Sequence, residues 1–122
     1  MADRGAMFTT WGATRPGVAP AKGMEVFAKA LGWYDELAKE GRISGYRVYS
    51  CIGRDAGMII AEGDTAELAR ITTEEQSTTL LQLASAVVED VRTELVIGGN
   101  PDDVVGFYMR AIEALGNFGL TP

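Results

Sequence analysis

A twenty-residue stretch of helical periodicity, set between two stretches that alternate with period two, constrains this chain more than any other feature. Over residues 21–40 the apolar positions Met24, Phe27, Ala28, Leu31, Tyr34 and Ala38 recur at helical spacing. Gly41 suits the left-handed residue that ends a helix, and Lys39 sits favourably in the last turn. Gly23 and Gly32 each cost about 1 kcal/mol of helix propensity relative to alanine, so packing must hold the helix. Residues 6–12, Ala-Met-Phe-Thr-Thr-Trp-Gly, read as a strand before it, and residues 14–20, with two prolines and a glycine, as a loop.

After the helix, residues 43–52 alternate as a second strand. Tyr46, Val48, Ser50 and Ile52 fall on one face, and Arg47, Tyr49 and Cys51 on the other. Residues 53–57 make a turn, and residues 58–62 a short apolar third strand that pairs as a hairpin. Asp64 or Thr65 caps a brief helix through residue 71. Thr72 with Glu75, or Thr73 with Gln76, has the spacing of a capping box for a second helix. That helix runs to about residue 86 on the stripe Leu80, Leu81, Leu83, Ala84 and Val87, so the two pieces form a bent pair joined at the threonines. Residues 88–97 alternate again as a fourth strand, with Val91, Thr93, Leu95 and Ile97 on one face and Arg92, Glu94 and Val96 on the other. Asn100 followed by Pro101, Asp102 and Asp103 starts a last helix, with Val104, Val105, Tyr108, Ile112 and Leu115 as its buried face and Gly116 as its stop.

The chemistry open to the chain is narrow. Its 122 residues contain no histidine, which removes the usual neutral-pH base, the commonest metal ligand and every Ser-His or Cys-His arrangement. One cysteine, Cys51, forms no internal disulfide and supports no structural zinc site; no metal and no cofactor are expected, and the setting reads as reducing and cytoplasmic. Seventeen acidic residues against eleven basic give a net charge of -6, which repels nucleic acid and anionic membranes. The first five residues lack a secretory apolar core, and no apolar run is long enough to span a bilayer.

The order strand, helix, strand, strand, helix, strand predicts an α+β domain over residues 1–122. It has a βαββαβ core over about residues 6–98, an antiparallel sheet with helices on one side, and a C-terminal helix over about residues 101–115. Trp11, Tyr46, Tyr49, Met58 and Ile60 all lie on strands, so neither sheet face is polar enough for full solvation. A homodimer with two sheets face to face is the expected answer. Residues 40–46, Glu-Gly-Arg-Ile-Ser-Gly-Tyr, and 57–64, Gly-Met-Ile-Ile-Ala-Glu-Gly-Asp, with Leu68 and Glu75 after them, carry a resemblance. The chain resembles small uncharacterised members of the ferredoxin-like, dimeric α/β-barrel superfamily. The resemblance implies this fold, a dimer, and a pocket between sheet and helices or within the barrel. Cofactor-free monooxygenases, haem-degrading enzymes, dehydratases and isomerases occur among such proteins, and the lack of histidine leaves nothing here to match the haem-binding or His-dependent ones.

Trp11, Tyr46, Arg47 and Tyr49 are the candidate ligand-binding residues. Aromatic walls suit a flat apolar ligand, an arginine beside a carboxylate can orient an acidic or enolic one, and a tyrosine–arginine pair is the acid/base or oxyanion device left without histidine. The competing role for the aromatics is sheet core and dimer interface. Arg92 with Glu94 suits an ion pair, Cys51 an inert thiol, and Glu62 with Asp64 turn and capping duties. Asp35, Glu36, Glu40 and Glu67 read as solvated helix faces. The residues thus predict a homodimer that binds a small apolar or aromatic ligand. The alternatives are a cofactor-independent monooxygenase- or isomerase-like enzyme, or a structural dimer whose barrel is filled by side chains.

Overall fold

The computed structural model describes residues 3–120. Strand β1 (Arg4–Trp11) leads into helix α1 (Pro20–Lys39). The hairpin of β2 (Gly45–Ser50) and β3 (Gly57–Asp64) follows, then helices α2 (Thr65–Thr73) and α3 (Glu75–Val87), strand β4 (Arg92–Ile97) and helix α4 (Pro101–Asn117). The four strands form one antiparallel sheet in the order β2-β3-β1-β4. This is the expected element order.

Helices α1, α2 and α3 cover one face of the sheet. Alternation sends Met7, Ile59 and Ala61 to that side, where they meet Tyr34 and Leu37 of α1, Ile43, and Leu68 and Ile71 of α2. Leu37, Ile59, Leu68 and Ile71 are the largest fully buried side chains. On the opposite face the register aligns Ala6, Phe8 and Thr10 with Glu62, Ile60 and Met58, flanked by Arg47 and Tyr49 on β2 and by Arg92, Glu94 and Val96 on β4. Among the described residues, no helix lies over them.

Helix α1 begins at Pro20, whose missing N–H costs nothing at a first helical position. It ends as expected at Gly41, in the left-handed region at φ 74°, where Gly41 N donates to Ala38 O and Arg42 N to Leu37 O. Asp64 caps α2, accepting from Glu67 N. The expected capping box at Thr72 or Thr73 does not form. Both hydroxyls instead donate back to carbonyls of α2, at Ala69 and Arg70, and Glu74 in extended conformation starts α3 without a side-chain cap.

The joint between α2 and α3 is held from outside by Arg42, just after α1. Its guanidinium donates from Nε to Glu67 at 2.7 Å, and from Nη1 and Nη2 to the two carboxylate oxygens of Glu74 at 2.7 and 2.5 Å. Arg70 adds a second cation to Glu67. Glu67 is therefore not the merely solvated carboxylate that its helix position suggests, and Asp35 likewise accepts from Tyr46.

β2 and β4 are shorter than the sequence pattern suggests, whereas β1 and β3 extend beyond it. β2 stops at Ser50, leaving Ile43 in the core before it and Ile52 fully exposed beyond it. β4 starts only at Arg92, because Asp90 takes a left-handed φ of 55° and Val88 makes an isolated bridge to Thr14. α4 departs furthest from expectation. It starts at Asn100, whose Oδ1 accepts from Asp103 N at 3.0 Å, but it passes Gly116 and ends before Gly119 at φ 75°. Its expected buried face is not buried, since Val105, Tyr108, Ile112 and Leu115 all stand exposed.

Arg42 holds the carboxyls of Glu67 and Glu74 below their usual range, mainly through its hydrogen bonds. A lowered folded-state pKa gives stability that is present above the ordinary carboxylate range and is lost as pH falls through the lowered value. Arg42→Met is therefore expected to lower the melting temperature at pH 7 and to flatten the acid limb below pH 5. Thermal melts of both proteins from about pH 7 to pH 3 check this; parallel acid limbs would remove the clamp from the account.

Candidate functional site

A cavity of about 530 Å³ opens between the helix-covered side of the sheet and the facing sides of α1 and α3. Its sheet wall is Met7, Thr9 and Trp11 of β1, Ile59 of β3 and Thr93 of β4, brought to one side by the period-two alternation. Met24, Phe27, Trp33 and Tyr34 descend from α1, and Ser77, Leu80, Leu81 and Ala84 from α3. Trp11 and Phe27 pack with ring centroids 5.8 Å apart, tilted by 58°. Gly57 makes room for the indole: a Cβ there would lie 2.6 Å from Trp11 Cζ2 and 3.0 Å from Tyr49 O.

The polar groups in this apolar space form two short links. Tyr34 Oη lies 3.4 Å from Thr9 Oγ1, which lies 2.9 Å from Thr93 Oγ1. Trp33 Nε1 donates to Ser77 Oγ at 3.1 Å. Burial pushes the Tyr34 phenol above its ordinary pKa, against the opposing hydrogen bond from Thr9. At neutral pH Tyr34 is therefore a protonated phenol, able to donate to an oxygen placed in the cavity. Among the described residues, Asp55 is the one charged side chain lining the cavity. Its Oδ2 accepts from Thr14 N at 2.9 Å and ties the β2–β3 loop to the β1–α1 loop. Among the described residues, no group of three or more Cys, Asp or Glu is placed to hold a metal ion.

The four residues singled out from sequence are distributed over both faces. Trp11 lines the cavity. Tyr49 borders it, although alternation pairs it with Met58 and places it on the open face. Tyr46 lies on the helix side but outside the cavity, its ring 5.5 Å from that of Tyr34 and its hydroxyl donating to Asp35 Oδ1 at 2.5 Å. That hydrogen bond raises the Tyr46 pKa. Arg47 is on the open face, paired with Glu62 at 2.8 Å. Tyr34, Thr9, Thr93, Trp33, Ser77 and Asp55 were not singled out from sequence. Thr9 and Thr93 become neighbours only through the β1–β4 register, and Tyr34 is just one more position on the α1 stripe until the sheet packs under it.

No protein-family model matches the chain, and no curated protein matches it in sequence. Solved structures do match. SnoaB, a cofactor-independent oxygenase from Streptomyces nogalater, superposes with a TM-score of 0.58 at 15% identity, over 81% of this chain and 96% of that one. A dimeric protein of unknown function and ferredoxin-like fold from Bacteroides fragilis gives 0.57 at 11% identity, over 77% and 96%. The fold is ferredoxin-like. A dimeric ferredoxin-like protein of unknown function from Thermobifida fusca agrees, with a TM-score of 0.55 at 11% identity over 79% of this chain and 92% of that one. At such identities the likeness is one of architecture, and within this ferredoxin-like frame the cavity is described by its own residues. No described helix is long and apolar enough to cross a membrane.

Gly57→Ala is expected to displace the Trp11 ring and destabilise the fold by about 1–3 kcal/mol, as overpacking does. Denaturant unfolding with tryptophan emission as the signal measures both effects. An unshifted midpoint and spectrum would mean that the close approach of Gly57 to Trp11 is not tight.

Proposed function

We propose that the protein is a homodimer in which each chain, a single domain, binds one small, flat and largely apolar ligand between sheet and helices. The cavity carries this reading. Its volume falls within the range of about 300–1,000 Å³ typical of small-molecule sites. Trp11, Phe27 and Trp33 supply aromatic walls, and Tyr34 supplies one buried donor suited to a carbonyl or hydroxyl oxygen. In a purely structural protein the same aromatics would fill this space, and here they border it instead. Two features support the dimer: the apolar centre of the sheet face without helices, Phe8, Met58 and Ile60 between charged flanks, and the likeness to proteins described as dimeric and ferredoxin-like. The lone Cys51 suits a reducing, cytoplasmic setting.

Trp11 and Trp33 make binding directly readable. Titration with 1-naphthol is expected to quench tryptophan emission saturably. Ala84→Phe fills the cavity and is expected to weaken binding by more than about tenfold, while Tyr34→Phe, removing one hydrogen bond, costs about fivefold. Saturable quenching that both variants leave unchanged would place the ligand elsewhere. No saturable binding by 1-naphthol or by larger fused-ring phenols would overturn the reading.

The likeness to a cofactor-independent oxygenase favours a second reading, in which the bound compound reacts with dioxygen through its own electron-rich ring system. Tyr34 would then stabilise negative charge developing on the ligand oxygen. Oxygen uptake with polyhydroxylated fused-ring substrates, lost in Tyr34→Phe with binding retained, would favour it. Binding without uptake leaves the non-catalytic reading.

A further inference from the structure

Helix α4 is the least explained element of this chain. At 100° per residue, its apolar side chains from Phe107 through Val104, Tyr108 and Ile112 to Met109 span an arc of about 200°. A helix resting on one layer needs a stripe of about half that width. Inside its own chain α4 touches mainly β4, with Val104 close to Gly98, and its polar edge is held by the Arg110–Asp3 ion pair at 3.2 Å. Tyr108 at 60%, Met109 at 58% and Ile112 at 55% exposure form the unpartnered side.

We propose that α4 is an arm that packs this free side on a second copy of the chain. The inference rests on the dimer reading above and adds a second contact to the sheet face. Area favours that occupant. The protein exposes 7962 Å², against about 6,300 Å² for a compact monomer of its mass. The excess, about 1,600 Å², is what one subunit of an obligate homodimer buries. Charge argues against a lipid surface: Asp102, Asp103 and Glu113 outweigh Arg110, whereas interfacial helices are rich in basic residues. The same chain also presents half-buried Phe8, Met58 and Ile60 on the sheet face without helices, so two copies can cover both surfaces without any other protein.

Sedimentation equilibrium of the full chain tests this, with Tyr108→Glu and Ile112→Glu as variants and Glu113→Gln on the polar edge as control. Each of the two apolar variants is expected to weaken the dimer by more than about tenfold with tryptophan emission unchanged, and the control to leave it intact. In a mixed dimer of isotope-labelled and unlabelled protein, the Ile112 and Leu115 methyls are expected to show NOEs to the unlabelled chain. A dimer indifferent to both variants and lacking these NOEs overturns the role of α4 alone. A monomeric wild-type protein overturns the dimer reading and this inference together.

Discussion

The pairing of β1 with β3 at the centre of the sheet governs the rest of the molecule. Their eight residue pairs, from Arg4 with Asp64 to Trp11 with Gly57, decide which side chains each face receives. In this register Met7, Ile59 and Ala61 meet the helices, and Ala6, Phe8, Met58 and Ile60 face away. A slip by one residue would exchange the two sets and send Glu62 into the core, so burial of Ile59 and Ala61 enforces the register strongly. The register also sets the cavity, because Thr9 and Trp11 reach its wall through the same alternation.

Core and cavity lie side by side under the same helices. Near α2 the space closes around Leu37, Leu68 and Ile71, all without exposure. Towards α3 it stays open, lined by the tilted Trp11–Phe27 pair and by small residues such as Ala30 and Ala84. Arg42 belongs to the closed end, where its bonds to Glu67 and Glu74 hold the bend at which α2 gives way to α3. That bend aims Ser77, Leu80 and Ala84 at the cavity, so a surface ion-pair network supports a cavity wall that it does not touch.

The architecture was legible because local signals agreed with the global fold. The α1 stripe, the Gly41 stop, the Asp64 cap and the Asn100 start are features of contiguous residues whose physics does not need the rest of the chain. The strand ends were less legible: Ile52 has strand-like chemistry but no strand to pair with, and residues 88–91 keep only the Val88–Thr14 bridge and the bonds of Glu89 to Gly12 and Ala13 before the left-handed Asp90 breaks the strand. The candidate site was read mostly from aromatic residues on strands. This found Trp11, but it weighted Tyr46 and Arg47, whose polar groups are engaged by Asp35 and Glu62. Tyr34 escaped notice because a tyrosine on a helix stripe looks like any core position.

By itself the sequence determined the element order, the ends of the long helix, the alternation that separates the two sheet faces and the exclusion of histidine chemistry. These follow from residue type and spacing, which act over a few residues. Tertiary structure alone decided that Thr9, Tyr34 and Thr93 share one polar thread, that Arg42 binds two glutamates 25 and 32 positions away, and that α4 keeps its apolar side free. Such meetings depend on strand register and helix docking, which belong to the assembled sheet and to no segment of it.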